Sequence, residues 1–439
     1  MSLWSRAAAL AAATPASRDR TVDFFRALSI LAVVFGHWTA AAPYLDAEGK
    51  LAATHILAVS DWTHWLTWGI QVMPIFFMVG GFSNGLTWRG AKKRGEPYAA
   101  WLTSRLRRLV WPVLPLLVAW IAIGVGAHIG GVPREWLRIG SQMALIPVWF
   151  LAVYLGVVAL VPLTHALWER WRWSSVLALA LAAVLVDLAF FRVAHALGWV
   201  NYLFVWSAVH QLGYAWGDGE LASLRRTLPL FAFGVVALML LTTVGPYPRA
   251  MVGVPGDALS NTTPPKITLL ALASLQAGLL LSLQRPLARW LRRAVPWTAT
   301  VLVNGMIMSV YLWHLTAMVL WIGLAYVLGG VELGSAPGSA EWWRARPLWL
   351  ATLALVLLPL VLVFSRFERP RPSTATPAAW RLVLGAALFI AGLAALALDG
   401  IVGAGWFGLR VSVLALPLAG ALLIGITRAG DSRAAPDDG

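Results

Sequence analysis

Arg26 and His37 stand eleven positions apart in the apolar run Val22–Ala42, VDFFRALSILAVVFGHWTAAA. A helix turns about 100° per residue, so eleven steps bring both side chains to one face, about 16 Å apart along the axis. Ionisable groups inside a bilayer-spanning segment are costly unless they line a cavity or do work. An imidazole titrates near neutrality, which suits a general base. The bland alternative is a neutral histidine hydrogen-bonded between helices. For Arg26 the alternatives are electrostatic stabilisation of a reaction centre and snorkelling to the interface.

Other residues extend the candidate list. Ser83 and Asn84 follow the paired glycines of PIFFMVGGFSN, where they can line a cavity near the cytoplasmic end or, as readily, serve plain helix packing. Arg105 and Arg108 precede Trp111-Pro112; guanidinium forks suit phosphate, although a cluster set by membrane topology explains them equally well. His314 follows Tyr311 in YLWH. Asp187 and His210 can meet near mid-membrane, Asn201, Gln211, Gln276 and Asn304 add polar groups, and interhelical hydrogen bonds account for most of these.

Several chemistries have no support. The chain contains no cysteine, so it holds neither a disulfide frame nor a thiolate nucleophile. None of its eight histidines belongs to an HxxxH or HExxH pair, and no metal is expected. No P-loop occurs, and the GxSxG string at 81–85 and the GxGxxG string at 403–408 follow no predicted strand, so neither a nucleophile elbow nor a dinucleotide site is supported. No histidine has an aspartate five residues later.

The elements that must hold these groups are membrane helices. The chain has 439 residues, 59% hydrophobic and 12% charged, with mean hydropathy +0.74; soluble domains carry about 25% charged residues. Arginine far outnumbers lysine, which suggests a bacterial source with a GC-rich genome. The net charge of +15 falls in short loops, where topology explains it without nucleic acid. Taking about 20 apolar residues per span gives twelve: 22–42, 64–88, 106–129, 142–164, 175–194, 198–216, 227–245, 265–284, 299–328, 346–366, 380–399 and 408–427. The ninth is long enough to be kinked or strongly tilted. Lys and Arg crowd alternate loops, most densely as Arg89, Lys92, Lys93, Arg94, Arg105, Arg107 and Arg108. By the positive-inside rule both termini face the cytoplasm. His37 and His314 then lie at nearly the same depth on parallel spans, about 22 Å from the cytoplasmic face, and can converge on one site.

Read in order, these motifs resemble the acyltransferase 3 family of integral membrane acyltransferases. The carriers are Arg26-x10-His37, PIFFMVGGF (74–82), Arg105-x-x-Arg108 before Pro112, WFL (149–151), YLWH (311–314) and Glu368-Arg369-Pro370. The resemblance covers about residues 18–370. It implies an all-α polytopic membrane protein with a ten-helix core, here followed by two further helices. It also implies transfer of an acyl group, usually acetyl from acetyl-CoA, to a hydroxyl of a carbohydrate, a cell-envelope glycan or a secondary metabolite. His37 and Arg26 take the family's catalytic positions. Arg105 and Arg108, with Ser83 and Asn84, fall on the acyl-CoA side, and His314 and Tyr311 support the acceptor. Whether His37 acts as a base or carries the acyl group stays open.

Two departures stand out. Gly80 occupies a position where many members have Ser, and the stretch after Trp149 lacks the glutamate of another large branch, so the histidine's carboxylate partner is undefined. The expected organisation is a cytoplasmic tail at 1–17, the family domain at 18–370, two additional helices within 371–427 and a cytoplasmic tail at 428–439. The main rival function is a transporter or exporter of a glycan or lipid-linked precursor, which the lack of an internal repeat disfavours. A non-catalytic membrane scaffold is the third reading.

Overall fold

The structure is a computed structural model describing residues 2–15, 17–368 and 376–426. The motif residues Arg369 and Pro370 and the tail 428–439 lie outside the described residues. The chain is almost entirely helical and polytopic. It divides into two compact units, 1–90 with 160–359, and 91–159 with 360–439.

The first unit opens with α1 (Leu3–Ala12) and α2 (Arg20–Ala40). The Asp19 side chain caps α2 by accepting from the Thr21 N–H at 2.9 Å, which satisfies one of the orphan donors of the first turn. The tail at 1–17 is thus built into the fold: α1 packs on a later helix, and the Trp297 indole donates to the Ala11 carbonyl at 3.2 Å. A two-stranded antiparallel hairpin follows, β1 (Ala41–Leu45) and β2 (Leu51–His55). Its turn is closed by the Asp46 carboxylate, which accepts from the Lys50 N–H at 2.7 Å, with Gly49 at φ +74°. Short helices α3 (Ile56–Val59) and α4 (Thr63–Ile70) lead into α5 (Met73–Lys93).

The second unit begins with α6 (Tyr98–Val110), α7 (Val113–Ile129), α8 (Arg134–Leu145) and α9 (Val148–Ala159). The chain returns to the first unit through α10 (Val161–Trp171), α11 (Trp173–Arg192), α12 (Asn201–Gly217), α13 (Leu224–Thr243), α14 (Thr268–Ser282), α15 (Gln284–Trp290), α16 (Ala294–Gly305) and α17 (Ile307–Val327). After α18 (Ala340–Phe364), α19 (Ala379–Asp399) and α20 (Val411–Leu423) complete the second unit. There α19 packs along α9 and α20, and the buried Arg107 donates to the Gly425 carbonyl at 3.3 Å. The last two helices therefore form one body with 91–159.

Nine helical segments among the described residues are long and apolar enough to cross a membrane, ten if the pair α14–α15, bent by 51°, is one span. The apolar runs 198–216 and 408–427 form helices of 17 and 13 residues, short of that test. Run 299–328 is broken: α16 ends at Gly305, and Met306, at φ −130°, separates it from α17.

Gly81, the second of the paired glycines in α5, has a packing reason. A Cβ on Gly81 would lie 1.9 Å from the His210 carbonyl oxygen, and one on Gly213 would lie 2.1 Å from the Met78 carbonyl oxygen. Only glycine lets the α5 and α12 backbones approach this closely.

Candidate active site

The last turn of α2 carries His37, and the middle of α17 carries His314. His37 Nδ1 and His314 Nε2 are 2.8 Å apart. The ring planes differ by 3° and the centroids are 5.1 Å apart. That separation is the N–N distance plus the two ring radii, so the imidazoles meet edge to edge in one plane.

The tautomers follow from the next bond. His314 Nδ1 is 2.6 Å from the Tyr311 carbonyl oxygen, which can only accept. His314 Nδ1 therefore carries a hydrogen, and in the neutral ring Nε2 is bare. It accepts from His37 Nδ1–H, which leaves the lone pair of His37 on Nε2. A backbone carbonyl thus sets the tautomer of a ring two hydrogen bonds away.

Aromatic residues fix both backbones. The Trp38 indole N–H donates to the His314 carbonyl at 3.0 Å, and the Trp349 indole N–H donates to the Trp38 carbonyl at 2.9 Å. His314 is fully buried, and the Tyr311 ring is 3% exposed. His37 is partly exposed. The geometry presents one imidazole nitrogen, held from behind by a second, buried imidazole.

Arg26 bonds to side chains of α2 and α5. Its Nη2 donates to Ser83 Oγ at 3.0 Å on α5, and its Nη1 lies 3.4 Å from Asp23 Oδ1. Arg18 also pairs with Asp23, at 2.6 Å, and Asn304 donates to the Asp23 backbone carbonyl at 2.9 Å. Asp23, which the sequence reading did not single out, is thus the counter-ion for two arginines. Only the DFFR spacing hinted at it, through an i,i+3 pair on one helix face.

Asn84 is buried, and its amide N–H donates to His210 Nε2 at 3.2 Å. This bond ties α5 to α12. Asp187 and His210, which the sequence allows to meet, bond to separate partners. Asp187 instead accepts from Asn201 Nδ2 at 2.8 Å, Tyr247 OH at 3.0 Å and the Ile267 N–H at 2.9 Å. Three donors satisfy the carboxylate locally, without an imidazole.

At the end of α12, Asp218 joins three elements. It pairs with Arg89 of α5 and accepts from Trp168 Nε1 of α10 at 2.9 Å and from Arg172 Nη1 at 2.6 Å. Burial alone pushes this carboxyl up, but the bonds from Trp168, Arg89 and Arg172 outweigh it and hold the group below the usual carboxylate range.

In the second unit, Arg108 is exposed, and Arg105 is half-buried with its guanidinium 5.8 Å from the Trp101 ring centroid. Arg107 between them is the structural member, turned inward to Gly425.

A family model described as an acyltransferase domain matches residues 19–366. Comparison with the curated proteins and with the solved structures finds no match.

Proposed function

The chain belongs to the acyltransferase 3 family, and from that premise we propose that this membrane acyltransferase moves an acyl group, acetyl foremost, from acyl-CoA to a hydroxyl. The acceptor class is a carbohydrate, a cell-envelope glycan or a secondary metabolite, and the reaction belongs with transfers of groups other than amino-acyl groups. The protein is read as residing in the cytoplasmic membrane with both termini inside, on the charge bias of its loops.

The observation that carries this reading is the coplanar His37–His314 pair. His37 Nε2 takes the acceptor O–H proton as the oxygen attacks the thioester carbonyl. The tetrahedral adduct collapses, the C–S bond breaks, and the departing thiolate of CoA receives that proton from His37. His314 stabilises the imidazolium through its bare Nε2, which does for His37 what a carboxylate does in a triad. The carboxylate partner missing from the sequence is thereby replaced by an imidazole. Arg26, held by Ser83 and only partly neutralised by Asp23, supplies positive charge toward the adduct or the donor. Arg105 and Arg108 meet the phosphates of CoA.

The test uses purified full-length protein in nanodiscs with acetyl-CoA. Release of CoA thiol and acylation of added hydroxyl acceptors, both lost in His37→Ala, support the reading. Thiol release that is absent, or equal in the variant, overturns it.

A further inference from the structure

A third histidine, His55, lies on the hairpin that follows α2. Ala41 directly follows α2, and its N–H donates to the His37 carbonyl. The hairpin register sets His55 opposite Ala41. Facing residues of an antiparallel pair hold their Cβ atoms about 5 Å apart, so the strand β2 returns His55 to face the residue one helical turn beyond His37.

This hairpin is clamped. Arg346 donates to the Ala41 carbonyl at 3.2 Å, and its guanidinium lies 3.9 Å from the ring centroid of Trp342 and 5.0 Å from that of Trp349. Trp342 packs on Ala42 of β1 and on Ile56, the residue after His55. On the exit side, His64 donates to the Leu57 carbonyl at 2.8 Å. A segment fixed at both ends holds its side chains in a defined place, which a mere connecting loop does not need.

The tautomer of His55 is defined as well. The Leu57 N–H donates to His55 Nδ1 at 3.3 Å, so Nδ1 is bare and Nε2 carries the hydrogen. Burial pushes this imidazole down to about 4, so the ring stays neutral near pH 7 with its N–H in place. The ring is partly exposed. His37 therefore offers a lone pair, and His55 offers a hydrogen. Two neighbouring hydroxyls match that arrangement: one donates to His37 and is acylated, and the oxygen of the next accepts from His55.

We propose that His55 Nε2–H positions a polyhydroxylated acceptor by binding a hydroxyl adjacent to the one presented to His37. The proposal rests on the transfer reading above, and its test separates the two. The protein in nanodiscs is assayed with acetyl-CoA and methyl glycosides of glucose, galactose, mannose and rhamnose as probes. His55→Asn keeps an oxygen that can cap the Leu57 N–H but lacks the ring Nε2–H. His55→Gln sets an amide N–H near the position of Nε2.

The expected result is a glycoside KM raised about tenfold in His55→Asn, the worth of one hydrogen bond, with the KM for acetyl-CoA unmoved. In His55→Gln the glycoside KM returns to within about threefold of wild type. A wild-type glycoside KM in His55→Asn overturns the proposal and leaves the imidazole as a cap of α3. Parallel losses in both variants, in donor KM and thermal midpoint together, also overturn it, because they mark a structural role. Thiol release that no glycoside accelerates in the wild type overturns the polyol assignment. Absence of thiol release altogether is the failure of the transfer reading itself, and the proposal falls with it.

Discussion

His37 and His314, separated by 277 residues in the chain, share a hydrogen bond of 2.8 Å between imidazoles coplanar to within 3°. The bond is directional: the Tyr311 carbonyl fixes the His314 tautomer, and His314 fixes that of His37. Two mutations test the two ends of this chain differently.

His37→Ala is expected to lower kcat by about 10²–10⁴, the usual share of a general acid–base group, in protein with an unchanged thermal midpoint. His314→Ala leaves the His37 tautomer free and is expected to cost on the order of 10²-fold in kcat with little change in either KM. His314→Gln sets an amide oxygen near the former Nε2 and should recover activity to within about tenfold of wild type. Equal activity of the Ala and Gln variants would remove the tautomer argument.

Ser83→Ala deletes the acceptor of the Arg26 guanidinium. A hydrogen bond to a charged group is worth about 1.5–3 kcal/mol, and Arg26 then relaxes toward Asp23, 3.4 Å away. The expected outcome is a kcat loss of about tenfold or more, with Ser83→Thr retaining most of the rate. Steady-state kinetics on the two variants decide it; a Ser83→Ala enzyme with full kcat would show that Arg26 needs no anchor on α5.

Arg108→Ala should raise the KM for acyl-CoA by about tenfold, the worth of a lost charge-assisted contact, without lowering the thermal midpoint. Arg107→Ala should do the reverse, since Arg107 is 8% exposed and bonded to the Gly425 carbonyl. If both variants lose only stability or insertion, the basic cluster serves topology alone.

Asp218→Asn is expected to destabilise the protein by about 2 kcal/mol, discounted from a fully buried pair because the side chain is 14% exposed. The wild-type carboxyl is held below its unfolded value, which is about 3.9. Its contribution is therefore complete above about pH 4 and is lost as pH falls through the lower folded value. Thermal midpoints measured from pH 6 down to pH 3 should fall more steeply in the wild type than in the variant. Parallel curves would show that Asp218 does not hold α5, α10 and α12 together through its charge.

The membrane class, the positions of the apolar runs and the excess length of run 299–328 could all be read from the amino-acid order. Each is a local property: about 20 apolar residues in a row must be helical in a bilayer, because no water satisfies the backbone there. Helical phase also placed Arg26 and His37 on one face of α2, since the 3.6-residue period is carried by a single helix. What that period does not encode is which neighbour the face meets. The pairing of His37 with His314, of Arg26 with Ser83, and of Asn84 rather than Asp187 with His210 depends on where helices cross and how each is rotated. At one crossing, Gly81 and Gly213 set the approach, with backbone contacts no side chain would permit. The hairpin was missed for a related reason. Residues 43–55 carry little alternation and fall between the first two apolar runs. Only the pairing of β1 with β2, clamped by Arg346 from 305 residues away, brings His55 back beside the helix it had left.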